Sequence, residues 1–151
     1  MFSSKEIPQA DSLIVVEKTV AALASGSKDD VEIAQYLGYT ARQGHYYRKA
    51  AELCGFAIHV KGKSQATDLG KKLVNAKNEV ERISVLQEGV MNIPLIAALV
   101  GEFTRGSENL GDRQRVVVWL RQNSDLSDST ATRRSSTVLN YLRTAKILIT
   151  D

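Results

Sequence analysis

Apolar side chains recur at three- and four-residue intervals along most of the chain, which is the spacing of one face of an α-helix. The first run consists of Leu13, Val16, Val20 and Leu23, and it ends at Gly26. Ser12 precedes this run as a suitable N-cap. Two further runs follow, so the pattern predicts three helices, which begin near residues 13, 30 and 41.

The third of these helices has a distinct start and a polar outer face. Thr40 to Gln43 has the form of a capping box, in which the threonine caps the helix and the glutamine reaches back. Gly55 is the expected left-handed stop after residues 41–54. The outer face carries side chains able to contact bases or phosphates: Arg42, Gln43, His45, Tyr46 and Lys49. A short helix, a glycine-containing turn and a longer, basic helix are typical of a helix-turn-helix unit that reads DNA.

A β-hairpin is predicted directly after this helix. Residues 56–60 alternate and are rich in β-formers, and residues 65–67 can pair back as a second strand. Lys61 and Lys63 flank the turn between them, where lysine ammonium groups can reach DNA phosphates. Three helices followed by a hairpin with a basic tip is the order of a winged helix.

The second half repeats parts of this pattern. Helices are expected over residues 79–88, 93–103, 112–122 and 130–145, with a strand over 147–149. The last helix places a second set of polar side chains mostly on its outer face: Arg133, Arg134, Thr137 and Asn140. This half has helices and arginines comparable with the first, but no second hairpin.

Charge is distributed unevenly along a chain whose net charge is only +3. Residues 33–72 contain seven basic residues against two acidic ones, and residues 112–151 contain seven against four. The intervening stretches are acidic. Two basic blocks of this kind favour contact with a polyanion. The balance of 43% hydrophobic and 25% charged residues is that of a globular protein, and no apolar run is long enough for a membrane span.

Catalytic chemistry has no recognisable motif in the sequence. None of the 17 acidic residues begins an Asp/Glu-x-Lys triplet, and the two histidines lack companions at metal-ligand spacing. Cys54 falls on the buried face of its helix, where a small apolar role is expected. No catalytic residue, metal or cofactor is therefore predicted. The lone cysteine and the absence of a secretion signal at the N-terminus favour a cytoplasmic location, associated with the nucleoid.

Several stretches together resemble a known class of DNA-binding module. They are Thr40–Tyr47, the Ala50-Ala51 pair before Gly55-Phe56, Thr67–Gly70 and Arg133–Val138. Over roughly residues 12–149 the chain resembles the tandem winged-helix modules attached to nuclease domains in some type II restriction endonucleases. The resemblance implies double-stranded DNA as the partner and a nuclease domain or subunit as a second one.

We therefore predict a mainly α fold with small β-hairpin wings (α+β), in two winged-helix lobes over residues 1–75 and 76–151. The second lobe is expected to be incomplete. The predicted function is sequence- or structure-selective binding of double-stranded DNA, as the recognition part of a restriction or defence nuclease or as a small regulator. The predicted DNA-binding residues are Thr40, Arg42, Gln43, His45, Tyr46, Lys49, Lys61, Lys63, Arg133, Arg134, Thr137 and Asn140.

Two alternatives remain open at this stage. A winged helix can serve protein–protein contact or homodimerisation without touching DNA, in which case Tyr46, Tyr47 and Phe56 are the contact aromatics. The second alternative is that the chain is the targeting fragment of a nuclease, because it stops in a predicted strand where a second wing is missing.

Overall fold

Helices form most of the structure, a computed structural model that describes residues 1–149. A short 3-10 helix at Ser4–Glu6 comes first. The remaining elements are, in chain order, α1 (Leu13–Ala24), α2 (Asp30–Leu37), α3 (Ala41–Leu53), β1 (Ala57–Val60), β2 (Lys63–Ala66), α4 (Asp68–Val74), α5 (Glu79–Met91), α6 (Pro94–Arg105), α7 (Arg113–Asn123) and α8 (Asp128–Thr144). The predicted mainly α composition with a small β-hairpin is confirmed.

Local capping residues fix where α1 and α3 begin. The Ser12 hydroxyl accepts a hydrogen bond from the backbone N–H of Val15 at the start of α1. At the start of α3 the predicted capping box is present, because the Gln43 N–H donates to the Thr40 hydroxyl at 3.3 Å and the Thr40 N–H donates to Gln43 Oε1 at 3.1 Å. Both helix starts follow from a few neighbouring residues.

The hairpin has the tightest turn that two antiparallel strands allow. Val60 pairs with Lys63, so only Lys61 and Gly62 lie between the strands. Both have positive φ, at 52° and 78°, as a type I′ turn requires. The second strand therefore starts two residues before the predicted position. Lys63 lies within a strand and Lys61 occupies a backbone conformation that a non-glycine residue seldom adopts.

The strand predicted over residues 147–149 is wrong, because this segment closes the end of α8. Lys146 takes a φ of 56° after the last turn of the helix. The N–H groups of Ile147 and Leu148 then both donate to the carbonyl oxygen of Leu142, at 2.9 and 3.0 Å. Their apolar side chains pack on the core. The two N–H groups are therefore hydrogen-bonded within the helix end and are not available to a neighbouring strand. The β-rich composition of the segment reflects its packing on the core.

Buried side chains from the two halves of the chain form one continuous hydrophobic cluster. The Tyr141 hydroxyl of α8 donates to the carbonyl oxygen of Ala10 at 2.7 Å, and the Asn92 amide donates to the carbonyl oxygen of Cys54 at 3.0 Å. Phe56 is fully buried between the halves. The division into lobes at residue 75 stays a prediction, but the two segments share a core in this structure.

Membrane-spanning helices were sought among the described residues. No single helix of residues 1–149 is long and apolar enough to cross a membrane. Only α5 and α6 taken together have the length and composition, and they are bent by 96° at the break between them.

Candidate nucleic-acid interface

The outer face of α3 presents most of the predicted contact residues to solvent. Thr40, Arg42, Gln43 and Lys49 are exposed, and His45 lies half-buried beside them. The Thr40 hydroxyl and Gln43 Oε1 are already engaged in the capping box. The two capping side chains are therefore held in place at the exposed N-terminal end of the helix.

Arg42 and Tyr46 form a preorganised pair one turn apart on α3. The Arg42 Nε donates to the Tyr46 hydroxyl at 3.0 Å, and its guanidinium carbon lies 5.5 Å from the centre of the tyrosine ring. This combines a hydrogen bond with a cation–π contact. The contact restricts the arginine side chain, and no carboxylate of the described residues lies within 4.0 Å of its terminal amino groups. An arginine held in this way loses less entropy when it binds an anion.

The inner face of α3 carries an arginine that the sequence analysis did not identify. Arg48 is only 7% exposed. Its Nε donates to Asp30 Oδ1 at 2.5 Å, and its Nη1 donates to Glu52 Oε2 at 2.9 Å. His45 Nδ1 also lies 3.2 Å from Asp30 Oδ2. The sequence offers one hint of the Asp30–Arg48 ion pair, which is the acidic first turn of α2. The ion pair joins α2 to α3, and these helices meet only through tertiary packing.

The charge of Asp30 is sensitive to this environment. Burial raises the pKa of its carboxyl, but the hydrogen bond and the charge of Arg48 outweigh that effect, with a smaller contribution from His45. The net pKa of Asp30 lies below its ordinary value of 3.8. A lowered carboxyl pKa stabilises the fold above pH 3.8 and ceases to do so as the pH falls through the lowered value.

Replacement of Asp30 by asparagine should lower the free energy of unfolding by about 1–2 kcal/mol at pH 7, because Arg48 loses one of its two carboxylate partners. Partial exposure of the carboxylate keeps the effect below that of a fully buried pair. Urea unfolding at pH 7 and below pH 3.5 provides the measurement. We expect the difference between the variant and the wild type to shrink as the pH falls. A difference that does not vary with pH would contradict the assigned role of the Asp30 charge.

A groove of about 360 Å³ runs between α3 and the segment that precedes α1. His45, Tyr46 and Lys49 line it on the helix side, and Lys5 and Gln9 line it on the other. Lys5 is exposed and adds a positive charge that the sequence analysis did not assign to this surface. No sequence signal could have placed it there, since it lies 36 residues before the start of α3 along the chain.

The second predicted set of contacts divides into two groups. Arg133 is exposed on α8 and Arg134 is partly buried. Burial and then the charge of Arg133 lower the pKa of Arg134, whereas the electrostatic effect of Tyr46 raises it. Tyr46 of α3 thus influences the charge of Arg134. Arg133, and in part Arg134, remain accessible to solvent.

The other two predicted residues of α8 point into the protein. The prediction that Thr137 lies on the outer face is wrong, because its side chain is 2% exposed and its hydroxyl bonds back to the carbonyl oxygen of Arg133. Asn140 is half-buried, and its Oδ1 accepts a hydrogen bond at 3.0 Å from the backbone N–H of Leu13. Asn140 thus satisfies an otherwise unpaired donor in the first turn of α1.

The hairpin lysines stand apart from α3. Lys61 and Lys63 are both exposed, and no hydrogen bond or ion pair within residues 1–149 connects either side chain to the helix. The strands below them are linked by His59, whose Nδ1 lies 2.7 Å from the hydroxyl of Ser64.

Among the described residues four arginines are ion-paired, and the other lysines and arginines, which include the predicted DNA contacts, are not. Arg48, Arg82, Arg115 and Arg121 each contact a carboxylate within 4.0 Å. Across the described ranges, no carboxylate lies within that distance of the cations predicted to contact DNA, which are Arg42, Lys49, Lys61, Lys63, Arg133 and Arg134. These cations are free to interact with an external anion.

The Cys54 thiol and the possible metal ligands are the side chains that bear on catalysis. Burial raises the pKa of the Cys54 thiol to about 12, so the thiol is protonated and shielded from solvent at neutral pH. Among the described residues, no three His, Cys, Asp or Glu side chains are gathered to hold a metal ion.

Comparison with known proteins identifies one family. Residues 15–145 match the family described as "Domain of unknown function (DUF7226)". The match extends from α1 to the end of α8, and therefore includes α3, the hairpin and Arg133 and Arg134. No curated protein and no solved structure matches the chain.

Proposed function

The chain belongs to the DUF7226 family, and we propose that α3 and the hairpin form a surface that binds double-stranded DNA without catalysing a reaction. The observation that supports this most is the distribution of ion pairs. Inward-facing Arg48 is neutralised by Asp30 and Glu52, whereas Arg42 and Lys49 on the outer face of the same helix have no carboxylate partner within residues 1–149. Unpaired cations arranged on one helix face match the charge of a phosphate backbone.

The proposed arrangement of the first half is a winged helix. Beyond the order of helices and hairpin, one backbone contact supports it. The N–H of Ser64 in β2 donates to the carbonyl oxygen of Lys28 at 2.7 Å, which attaches the segment before α2 to the hairpin as a third strand would be attached. In this proposal α3 lies in the major groove and the hairpin lies on the adjacent backbone.

The contact residues have different proposed roles. Arg42, held on Tyr46, is the candidate for a bidentate contact with guanine, because a guanidinium matches the two acceptors on that base. Lys49 and the hairpin lysines contact phosphates, which position the protein on the duplex without selecting a sequence. We propose that Arg133 and Arg134 extend the same surface, since Tyr46 influences the charge of Arg134.

This arrangement changes the proposed role of the second half. In this proposal α8 packs on α1 and α7 and contributes two arginines to one interface, rather than forming a second recognition helix with Thr137 and Asn140. A nuclease domain or subunit remains the proposed partner, on the resemblance to restriction endonuclease modules, and a cytoplasmic, nucleoid-associated location accompanies it. Homodimerisation and protein–protein contact remain the alternative.

Binding to a duplex should become weaker as salt is added. Each phosphate contact releases about 0.9 counterion, so five or six contacts predict a slope of about −5 for log K against log salt concentration. Fluorescence anisotropy with a labelled duplex of 20 base pairs, from 50 to 300 mM KCl, measures this slope. A single strand of the same sequence is the control, with a shallower expected slope of about −0.7 per contact.

Two results would contradict the proposal. One is the absence of duplex binding at 50 mM KCl by protein whose circular dichroism shows that it is folded. The other is binding with a slope near zero, which would favour the protein-interaction alternative. In that case sedimentation of the free protein would test for a homodimer.

A further inference from the structure

A second groove, of about 500 Å³, lies between the hairpin and the turn that joins α1 to α2. Lys61 and Lys63 line it on the hairpin side. Lys28, which belongs to the turn and was not among the predicted contacts, lines the opposite side. Three lysines from two separate segments therefore face one cleft.

The backbone holds these lysines in fixed relative positions. The Lys28 carbonyl oxygen accepts the N–H of Ser64 at 2.7 Å, and Ser64 is the neighbour of Lys63 in β2. Ser64 is buried, so this bond is protected from water. Lys61 is fixed by the two-residue turn. The side chain of Lys28 is exposed and takes no part in the bond.

The lining of this groove indicates the chemistry of its ligand. It contains no carboxylate and no aromatic ring, and its neutral polar side chains are those of Ser27, Ser64 and Gln65. No ion pair joins Lys28, Lys61 or Lys63 to a carboxylate in the described part of the chain. Three neighbouring ammonium groups repel one another, and a bound anion removes that repulsion. Without an aromatic ring the groove offers no surface on which a base can stack.

We propose that this groove binds a phosphate group of the DNA backbone, with Lys28 completing the site that Lys61 and Lys63 begin. The inference rests on the proposed duplex binding and adds a residue to it. Lysine ammonium groups bind phosphate as point charges without selecting a sequence. The groove thus anchors the hairpin on the backbone while α3 contacts bases.

The substitution Lys28→Gln tests the site, because it removes one charge and leaves the backbone bond to Ser64 in place. We expect the slope of log K against log salt concentration to become less negative by about 0.9, the value for one lost phosphate contact. The same quantity predicts roughly an eightfold loss of affinity at 0.1 M KCl. The loss should be equal for two duplexes of unrelated sequence. Lys77→Gln, which replaces an exposed loop lysine outside this groove, is the matched control and should leave the slope unchanged.

The possible outcomes separate this inference from the proposed function. If the wild type binds with a steep slope and Lys28→Gln gives a parallel line, the phosphate site is wrong and duplex binding stands. If the wild type does not bind a duplex, both proposals fail. A further arm omits DNA and measures thermal unfolding of both proteins with and without 10 mM inorganic phosphate at constant ionic strength. If phosphate stabilises the wild type but not Lys28→Gln, while the two bind the duplex with parallel salt dependence, the groove binds free phosphate and not the backbone, which also overturns the inference.

Discussion

Replacing Phe56 by alanine is expected to lower the free energy of unfolding by about 3–5 kcal/mol. Its ring is fully buried, and it packs so closely on Gly89 of α5 that a Cβ atom there would collide with it. Gly70 of α4 approaches the carbonyl oxygen of the same residue equally closely. Both contacts depend on glycine, so the surrounding helices cannot easily fill the space that the ring leaves. Urea unfolding followed by far-ultraviolet circular dichroism measures the loss.

Ile58→Ala is the matched control, because Ile58 lies two residues away in β1 and is 46% exposed. Its removal should cost less than about 1 kcal/mol. A loss for Phe56→Ala no larger than that of the control would contradict the assigned role of the ring. Two separate unfolding transitions in the wild type would show that the halves are stable independently, despite the side chains that they bury together.

The helices were predictable because their signals are local. The capping box at Thr40 and the stop at Gly55 are determined by residues within one or two turns, so they appear in the sequence as they do in the structure. The hairpin was predictable for the same reason. Its register was not, because a short run of β-formers allows more than one pairing and the turn residues decide among them.

The errors arose where distant residues determine the outcome. Helical periodicity placed Thr137 on the outer face of α8, but its side chain is buried, and Asn140 and Tyr141 one turn later bond to α1 and to the segment before it. Ile147 and Leu148 have the composition of a strand, but the carbonyl oxygen of Leu142 accepts their N–H groups. Arg48 was overlooked because a basic residue on a basic helix gives no sign that Asp30 lies beneath it.

The candidate interface contains some placements that the sequence predicts and others that depend on distant residues. Sequence spacing was sufficient to group Arg42, Tyr46 and Lys49 on one face of α3, since residues three and four apart are neighbours on a helix. Spacing could not show that Tyr46 influences the charge of Arg134 on α8, or that Lys28 lies across a groove from Lys63. Both placements depend on how separate segments pack. The proposed interface therefore combines residues from the two predicted sets of DNA contacts in one surface, with α3 at its centre.

Combined removal of Arg42, Lys61 and Lys63 is expected to weaken duplex binding at least 100-fold, or by about 3 kcal/mol. Loss of a base contact by arginine costs about 1–3 kcal/mol, and each lysine lost reduces the salt slope by about 1. Arg42→Ala and Lys63→Ala remove exposed side chains. Lys61→Asn suits its position better than alanine, because asparagine tolerates the positive φ of a type I′ turn and the sequence then reads Asn-Gly. Fluorescence anisotropy at 100 mM KCl measures the affinity.

A second triple variant, Arg105→Ala, Lys77→Ala and Lys146→Asn, distinguishes local contacts from total charge. It removes one arginine and two lysines, all exposed, and Lys146 also has a positive φ. Both variants change the net charge equally, so non-specific attraction of the whole protein to DNA falls equally in both. If α3 and the hairpin form the interface, only the first variant loses most of its affinity and its salt dependence. Equal losses in the two variants would mean that duplex binding follows net charge, and the proposed interface would then be wrong.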